Sequence, residues 1–207
     1  EYSDLVEKGS ALPPFDIVIV YSVISTSLIK TDYNNRVDEC KVAAWNLQEL
    51  AGLPITPFRE VKLRHIPEDV YHAYRDKLPG RFGRRADHFF SENQRVRDGI
   101  EAWQSGDLEA FGRLVFESGQ SSIDKYESGC PELITIYETL KDSPGVYGAR
   151  FSGAGYRGCC IGLVDPAHKE EIRLRMDETY PRKHPDFADV YDVFFSQTAN
   201  GAEVLTL

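Results

Sequence analysis

The run Gly145-Val146-Tyr147-Gly148-Ala149-Arg150-Phe151-Ser152, Gly153-Ala154-Gly155-Tyr156-Arg157-Gly158, Cys159-Cys160-Ile161-Gly162-Leu163-Val164 holds two β-rich segments around a glycine-rich turn. Three glycines among residues 153–158 are costly unless the backbone must reach positive φ or approach another group closely. Two segments joined this way predict a hairpin. Upstream, Asp16 to Ser22 follows Pro13-Pro14 and reads as a buried strand. Downstream, Pro166 to Tyr180 is helical, and Tyr191–Ser196 and Glu203–Leu205 read as short terminal strands.

A helical block lies between the first strand and the hairpin. Arg36 to Leu50 has Val37, Cys40, Ala44 and Leu47 at helical spacing, and Gly52-Leu53-Pro54 stops it. Pro67-Glu68-Asp69 opens a short helix that ends near Leu78-Pro79-Gly80. Residues 84–104 place Ala86, Phe89, Val96, Ile100 and Trp103 on one apolar stripe, closed by Gly106. Asp107 is an N-cap for a helix over residues 108–126, and Pro131 fits the first turn of another, through Leu140. Strands segregated from helices predict an α+β fold: an antiparallel sheet of about four strands with helices packed on one face.

The 207 residues carry 24 Lys+Arg against 33 Asp+Glu, a net charge of −9, with 42% hydrophobic and 28% charged residues. These proportions exclude disorder, collagen and coiled coil as the main state. The negative charge argues against a nucleic-acid partner, which needs Lys/Arg to neutralise phosphates. The one basic run, Arg81-Phe82-Gly83-Arg84-Arg85, is too short to change that. The longest apolar run, Ile17 to Tyr21, is of strand length, which argues against a membrane partner. The four cysteines (Cys40, Cys130, Cys159, Cys160) form no Cys-x-x-Cys pair, and the five histidines show no ligand spacing, so no metal site is expected. Free thiols fit a reducing cytoplasm.

Three segments could carry chemistry. The glycine turn is either a hairpin turn only or a nest of N–H groups for an anion. It lacks the Gly-Lys-Ser/Thr ending of a Walker loop, and a strand rather than a helix follows it. His88, Glu92 and Arg95 stack on one helix face. They are either support for an anion site or an ion pair joining helices. Thr31 to Cys40 is a polar entry to a helix; its residues read as capping by Asn34 or Asn35, with Arg36 and Glu39 solvated. Ser121 and Ser122 read as ordinary polar positions.

Taken together, these segments resemble the GHMP small-molecule kinases. Gly153-Ala154-Gly155-Tyr156-Arg157-Gly158-Cys159 resembles that family's third motif. Tyr33-Asn34-Asn35-Arg36-Val37-Asp38-Glu39-Cys40 and Arg85-Ala86-Asp87-His88, followed by Glu92 and Arg95, resemble segments of its galactokinase branch. Within that branch, residues 88–96, 101–103, 121–123 and 144–155 most resemble galacturonokinases. The resemblance implies a ferredoxin-like C-terminal domain over residues 16–207, with residues 1–15 as the segment arriving from an N-terminal domain. The family's sugar motif, phosphate loop and catalytic Asp would lie upstream of Glu1, so no catalytic residue is expected here.

The implied activity is transfer of the ATP γ-phosphoryl group to the anomeric hydroxyl of galactose or galacturonate. Its cofactors are ATP and Mg, the latter held mainly by the upstream domain. The partners implied are the sugar, ATP and the protein's own N-terminal domain, and these residues alone would be inactive. Tyr33 is the implied sugar contact. The backbone of Gly153, Ala154 and Gly155 would border the phosphoryl group, with Arg157 as an added cation or a partner for a uronic acid carboxylate. Arg36, His88, Glu92 and Arg95 are implied as supporting residues. A non-catalytic ligand-binding or interaction module on the same scaffold stays open, as does a homoserine- or mevalonate-type kinase, against which the Tyr33–Cys40 segment speaks.

Overall fold

Residues 5–24 and 31–199 are described in the computed structural model of the chain. The elements run β1 (Asp16–Tyr21), α1 (Tyr33–Leu50), α2 (Glu68–Tyr74), α3 (Gly80–Ser105), α4 (Leu108–Asp124), α5 (Pro131–Lys141), β2 (Val146–Phe151), β3 (Cys159–Val164), α6 (Lys169–Lys183) and β4 (Asp192–Ser196). The segment read as a strand over Glu203–Leu205 lies outside the described residues.

The sheet order is β2-β3-β1-β4, with every neighbouring pair antiparallel. β3 slots between β1 and β2, which makes this the split β-α-β arrangement of the ferredoxin-like fold. Alternation along the strands sorts the side chains. Val18 and Val20 of β1, Cys160 and Val164 of β3, and Ala149 and Phe151 of β2 are buried on one face. There they meet Leu133, Ile136 and Leu140 of α5 and Ile172, Met176 and Tyr180 of α6. The other face carries Ile17, Ile19, Ile161 and Leu163, which pair across the β1–β3 ladder and are half-buried.

Not every helix packs on the sheet. Ala43, Ala44 and Leu47 of α1, Tyr71 of α2, and Ala86 and Phe90 of α3 build a second core with Val61, Leu63 and Ile66. α4 joins the two cores by lying against the edge strand β2. The approach is backbone to backbone. A Cβ on Gly112 would overlap the Tyr147 carbonyl, and one on Gly148 would overlap Gly112. Covering an edge with a helix also shields its unpaired N–H and C=O groups.

Local signals place most boundaries. Asp107 caps α4 by accepting a hydrogen bond from the Ala110 N–H at 2.8 Å, Gly106 ends α3 at φ 79°, and Pro131 occupies the first turn of α5. Two helices begin earlier than their periodicity suggests. α3 starts at Gly80 rather than residue 84, because the Pro79 carbonyl accepts from Phe82 and Gly83 N–H and so closes the first turn. α1 starts at Tyr33 rather than Arg36, so Asn34 and Asn35 lie inside the helix and do not cap it; Asn35 Nδ2 donates to Asp32 Oδ1 at 3.0 Å.

Gly112→Ala is expected to cost about 2–3 kcal/mol, the scale of overpacking at a contact that cannot relax. Gly99→Ala is the control: its new Cβ would stand 3.5 Å from the Phe111 ring, an ordinary contact, and a helix-interior Gly→Ala change gains up to about 1 kcal/mol. Urea unfolding of both variants checks the pair. Equal stability of the two would show that α4 is not held against β2 by backbone contact.

Candidate functional site

The guanidinium of Arg85, fully buried on α3, organises the region where α1, α3 and the α4–α5 connection meet. Its Nε donates to Glu39 Oε2 at 2.7 Å, one terminal nitrogen to the Lys125 carbonyl at 2.5 Å and the other to Glu127 Oε2 at 2.5 Å. Burial alone would lower its pKa, but hydrogen bonds to Glu127 and Glu39 outweigh that and raise it. Arg36 donates to Glu39 Oε2 at 3.0 Å and to the Glu127 carbonyl at 3.2 Å, and Arg84 reaches Glu127 Oε1 at 2.6 Å. Hydrogen bonds from Arg85 and Arg84 hold the Glu127 carboxyl below its ordinary pKa.

The sequence reading of Arg36 and Glu39 as solvated is therefore corrected: Glu39 is buried and Arg36 half-buried. Their helix positions point them at Arg85, whose charge needs partners once α1 and α3 pack. Three arginines of the basic run 81–85 face acidic groups in the same way, since Arg81 lies 3.6 Å from Glu39. No local pattern marked Arg85 as buried or Glu127 as its partner, which is 42 residues away. Glu127 adopts φ 54°, a backbone state rare for a non-glycine residue.

Beside this network lies a cluster of tyrosines. Tyr126 meets the His88 ring at a centroid distance of 4.9 Å. Burial raises the Tyr126 hydroxyl pKa, and the charges of Cys40, Tyr33 and Tyr156 add to the rise. Tyr33 is in the first turn of α1, and Tyr156 is in the glycine turn. Burial also raises the pKa of the Tyr156 phenol, which stands in the field of Arg36 and Asp32. Burial pushes the Cys40 thiol up to about 11, which makes it a packing group rather than a nucleophile.

The turn is wider than a tight hairpin. Residues 152–158 all bend, closed by the Ser152 N–H donating to the Cys159 carbonyl at 2.9 Å. Gly153, Gly155 and Gly158 take φ of 110°, 79° and 92°. A Cβ on Gly155 would meet the Phe151 ring at 2.6 Å, whereas nothing crowds Gly153 or Gly158. Inside, the turn is pinned: the Gly155 carbonyl accepts from the Cys130 N–H at 2.8 Å, and the Gly158 carbonyl accepts from the Ser22 N–H and hydroxyl at 2.9 and 2.8 Å. Outside, Ser152, Gly153 and Arg157 are exposed. A pinned turn with an open outer surface presents backbone and one cation to whatever lies beyond it.

The structure thus brings Arg36 of the first turn of α1, His88 and the glycine turn to the connection that follows α4, through Glu127, Tyr126 and Cys130 in turn. Glu92 and Arg95 lie farther along α3. Glu92 accepts from the Ser118 hydroxyl at 2.7 Å and from Arg95 Nε at 2.7 Å, and Arg150 of β2 stands 3.7 Å away. His88 Nδ1 is 2.9 Å from the Ser121 hydroxyl. Ser118 and Ser121 are buried against Glu92 and His88 of α3, and Ser122 is buried with its hydroxyl on the Ser118 carbonyl, which corrects the reading of Ser121 and Ser122 as ordinary polar positions. Among the described residues, no group of three or more His, Cys, Asp or Glu side chains comes together to hold a metal. No described helix is long and apolar enough to cross a membrane.

A split β-α-β sheet, an added helical core and a pinned glycine turn at one end define a domain of the type found in small-molecule kinases. The family model described as GHMP kinases C terminal matches residues 99–182. The chain is 42% identical over 187 residues to the galacturonokinase of Arabidopsis thaliana, covering 90% of this chain and 43% of that protein. It is 32% identical over 195 residues to human galactokinase, covering 94% of this chain and 45% of that protein. The crystal structure of Lactococcus lactis galactokinase complexed with galactose superposes with a TM-score of 0.76 at 29% identity, over 97% of this chain and 48% of that one. The chain belongs to the GHMP kinase family, carries its C-terminal domain, and spans a little under half the length of the curated relatives it matches.

Two tests address the interior of this region. Arg85→Met should destabilise the fold by about 3 kcal/mol, because Glu39 then keeps only Arg36 and the exposed Arg81, and Glu127 and the Lys125 carbonyl each lose a donor; a loss under about 1 kcal/mol in denaturant unfolding would contradict the network's role. The second uses His88, whose pKa burial lowers from 6.5 to about 4 against the opposing charge of Glu92, with Arg95, Arg150 and Lys125 also lowering it. The unfolded chain takes up this proton near pH 6.5 and the folded chain does not until about pH 4. Stability is therefore whole above pH 6.5 and falls across that window, by at most about 1.4 kcal/mol per pH unit. His88→Gln should flatten the decline between pH 6.5 and 5, read as melting temperature against pH.

Proposed function

We propose that this chain is the C-terminal domain of an ATP-dependent sugar 1-kinase of the galactokinase or galacturonokinase type, working in the cytoplasm. The observation that carries the reading is that the first turn of α1, which holds Tyr33, and the glycine turn are both tied to the short connection between α4 and α5: Arg36 donates to the Glu127 carbonyl at 3.2 Å, and the Cys130 N–H donates to the Gly155 carbonyl at 2.8 Å. Tyr33 lies in the segment that resembles the galactokinase branch, where it is the implied sugar contact, and the turn resembles the family's third motif, the implied phosphate neighbour. The likeness to a galactokinase solved with galactose supports the sugar branch over a mevalonate-type kinase. The Leishmania major mevalonate kinase structure matches at 18% identity and a TM-score of 0.55, a likeness of fold only.

In the reaction the anomeric oxygen of the sugar bonds to the γ-phosphorus of ATP. The bond from that phosphorus to the ADP oxygen breaks, and the hydroxyl proton passes to a base. Such transfer depends on positioning and on stabilising charge. The residues of this chain serve the first need through Tyr33, which orients the sugar, and the second through the exposed backbone of Gly153–Gly155 with Arg157 beside it. Magnesium neutralises phosphate charge when bound. The base and metal ligands are assigned upstream of these residues, as the resemblance to the family implies. Arg36 and His88 hold the site's floor, and Glu92 and Arg95 fix α3 against α4.

The polypeptide extended upstream to the length of its relatives is expected to phosphorylate galactose or galacturonate with ATP, and the 207 residues alone to turn over nothing. Failure of the extended protein on both sugars would favour a non-catalytic binding module. In the extended protein, Tyr33→Phe should raise the sugar KM by roughly tenfold, one hydrogen bond's worth, with the ATP KM unchanged. Arg157→Ala should lower kcat/KM for galacturonate relative to galactose by a similar factor. An unchanged ratio would remove the carboxylate role from Arg157.

A further inference from the structure

Away from the site, a cavity of about 500 Å³ opens between the outer face of the sheet and the second half of α3. Ile17 and Leu163 form its floor, and Val96, Ile100 and Trp103 of α3 with Phe111 of α4 form its walls. This is the C-terminal half of the apolar stripe on α3. Its inner half fills the helical core through Ala86 and Phe89, whereas Val96 is 61% and Ile100 37% exposed. The stripe therefore serves two surfaces, a core and an open pocket. The cavity lies in the range that small-molecule sites occupy, and its predominantly apolar lining with a few polar groups at one end is their usual composition.

The polar end is asymmetric in charge. Arg95 and Arg150 both face it, with Glu92 as the only carboxylate among the described lining residues. Arg95 engages Glu92 and the Ser91 hydroxyl through Nε and one terminal nitrogen. Arg150 makes a single long ionic contact, 3.7 Å to Glu92, and is 38% exposed. One positive charge is left over at the mouth of a greasy cavity, on a guanidinium whose planar fork suits a carboxylate.

We propose that this cavity is a second binding site, for an amphiphile with a carboxylate head and an apolar body. The head pairs with Arg150 and the remaining face of Arg95, and the body lies between Ile17, Leu163 and Ile100. The site shares no residue with the glycine turn or the tyrosine cluster, so it stands or falls independently of the kinase reading.

Calorimetric titration of octanoate and octanol tests it, in the 207-residue chain and in the polypeptide extended to the length of its relatives. Octanoate is expected to saturate one site in both, with octanol weaker by roughly tenfold or more, the worth of a charge-assisted hydrogen bond. Arg150→Met should bring the two ligands to equal, weak binding. Gly99→Leu should fill the cavity and abolish both, with Ile100→Trp, at a position already near the surface, as the second blocking variant should the first unfold. No saturable binding, equal binding of acid and alcohol to the unaltered protein, or binding that survives both blocking variants would overturn the proposal. So would binding by the chain that the extended polypeptide lacks, because the cavity would then belong to another part of the same protein.

Discussion

A guanidinium with no solvent exposure must find its partners inside the protein, and Arg85 finds them on three segments at once. Removing such a charge from water costs several kcal/mol, which only good geometry and full hydrogen bonding offset. The constraint this places on the chain is positional. α1 must present Glu39, α4 must end so that the Lys125 carbonyl points back, and the next residues must turn through the positive φ of Glu127. With those fixed, the start of α1 and the entry to α5 are fixed too. Those two places flank the glycine turn: Cys130, at the entry to α5, holds its Gly155 carbonyl.

The architecture separates two tasks. The sheet with α5 and α6 supplies a platform whose core is built mainly from apolar side chains. The helical core of α1, α2 and α3 is a second body, joined to the platform through α4 by glycine contacts and by the buried serines that meet His88 and Glu92. The site lies at the junction. Arg36 of the helical body and the glycine turn of the platform are both bonded to the connection between α4 and α5, at Glu127 and Cys130. Polar ties at such a junction fix one relative placement of the two bodies, because each buried group is satisfied only in that arrangement.

Much of the fold was legible from local rules. Alternation in Asp16–Tyr21, the cap at Asp107, the left-handed Gly106 and the proline at residue 131 all act within a few residues, so sequence reading reaches them. The starts of α1 and α3 were missed because the closing groups were carbonyls and a proline rather than capping side chains. The separation of the helices into two cores was not legible, since the stripe on α3 is one pattern in sequence and two surfaces in space. In the candidate site, the turn stood out by its glycines, and Tyr33 was named through resemblance to a family. Arg85, Glu127 and Tyr126 were not singled out, because a buried ion pair spanning 42 residues leaves no periodic trace. Arg36 and Glu39 were read as surface residues for the same reason.

The central claim is that the glycine turn and Tyr33 form one wall of a phosphoryl-transfer cleft. A crystal structure of the extended polypeptide with its sugar and a non-hydrolysable ATP analogue tests it most directly. The account expects backbone N–H groups of residues 153–155 within hydrogen-bond reach of the terminal phosphate and the Tyr33 hydroxyl within reach of the sugar. A nucleotide bound elsewhere, with the turn facing bulk solvent or covered by protein that excludes the ligand, would contradict it.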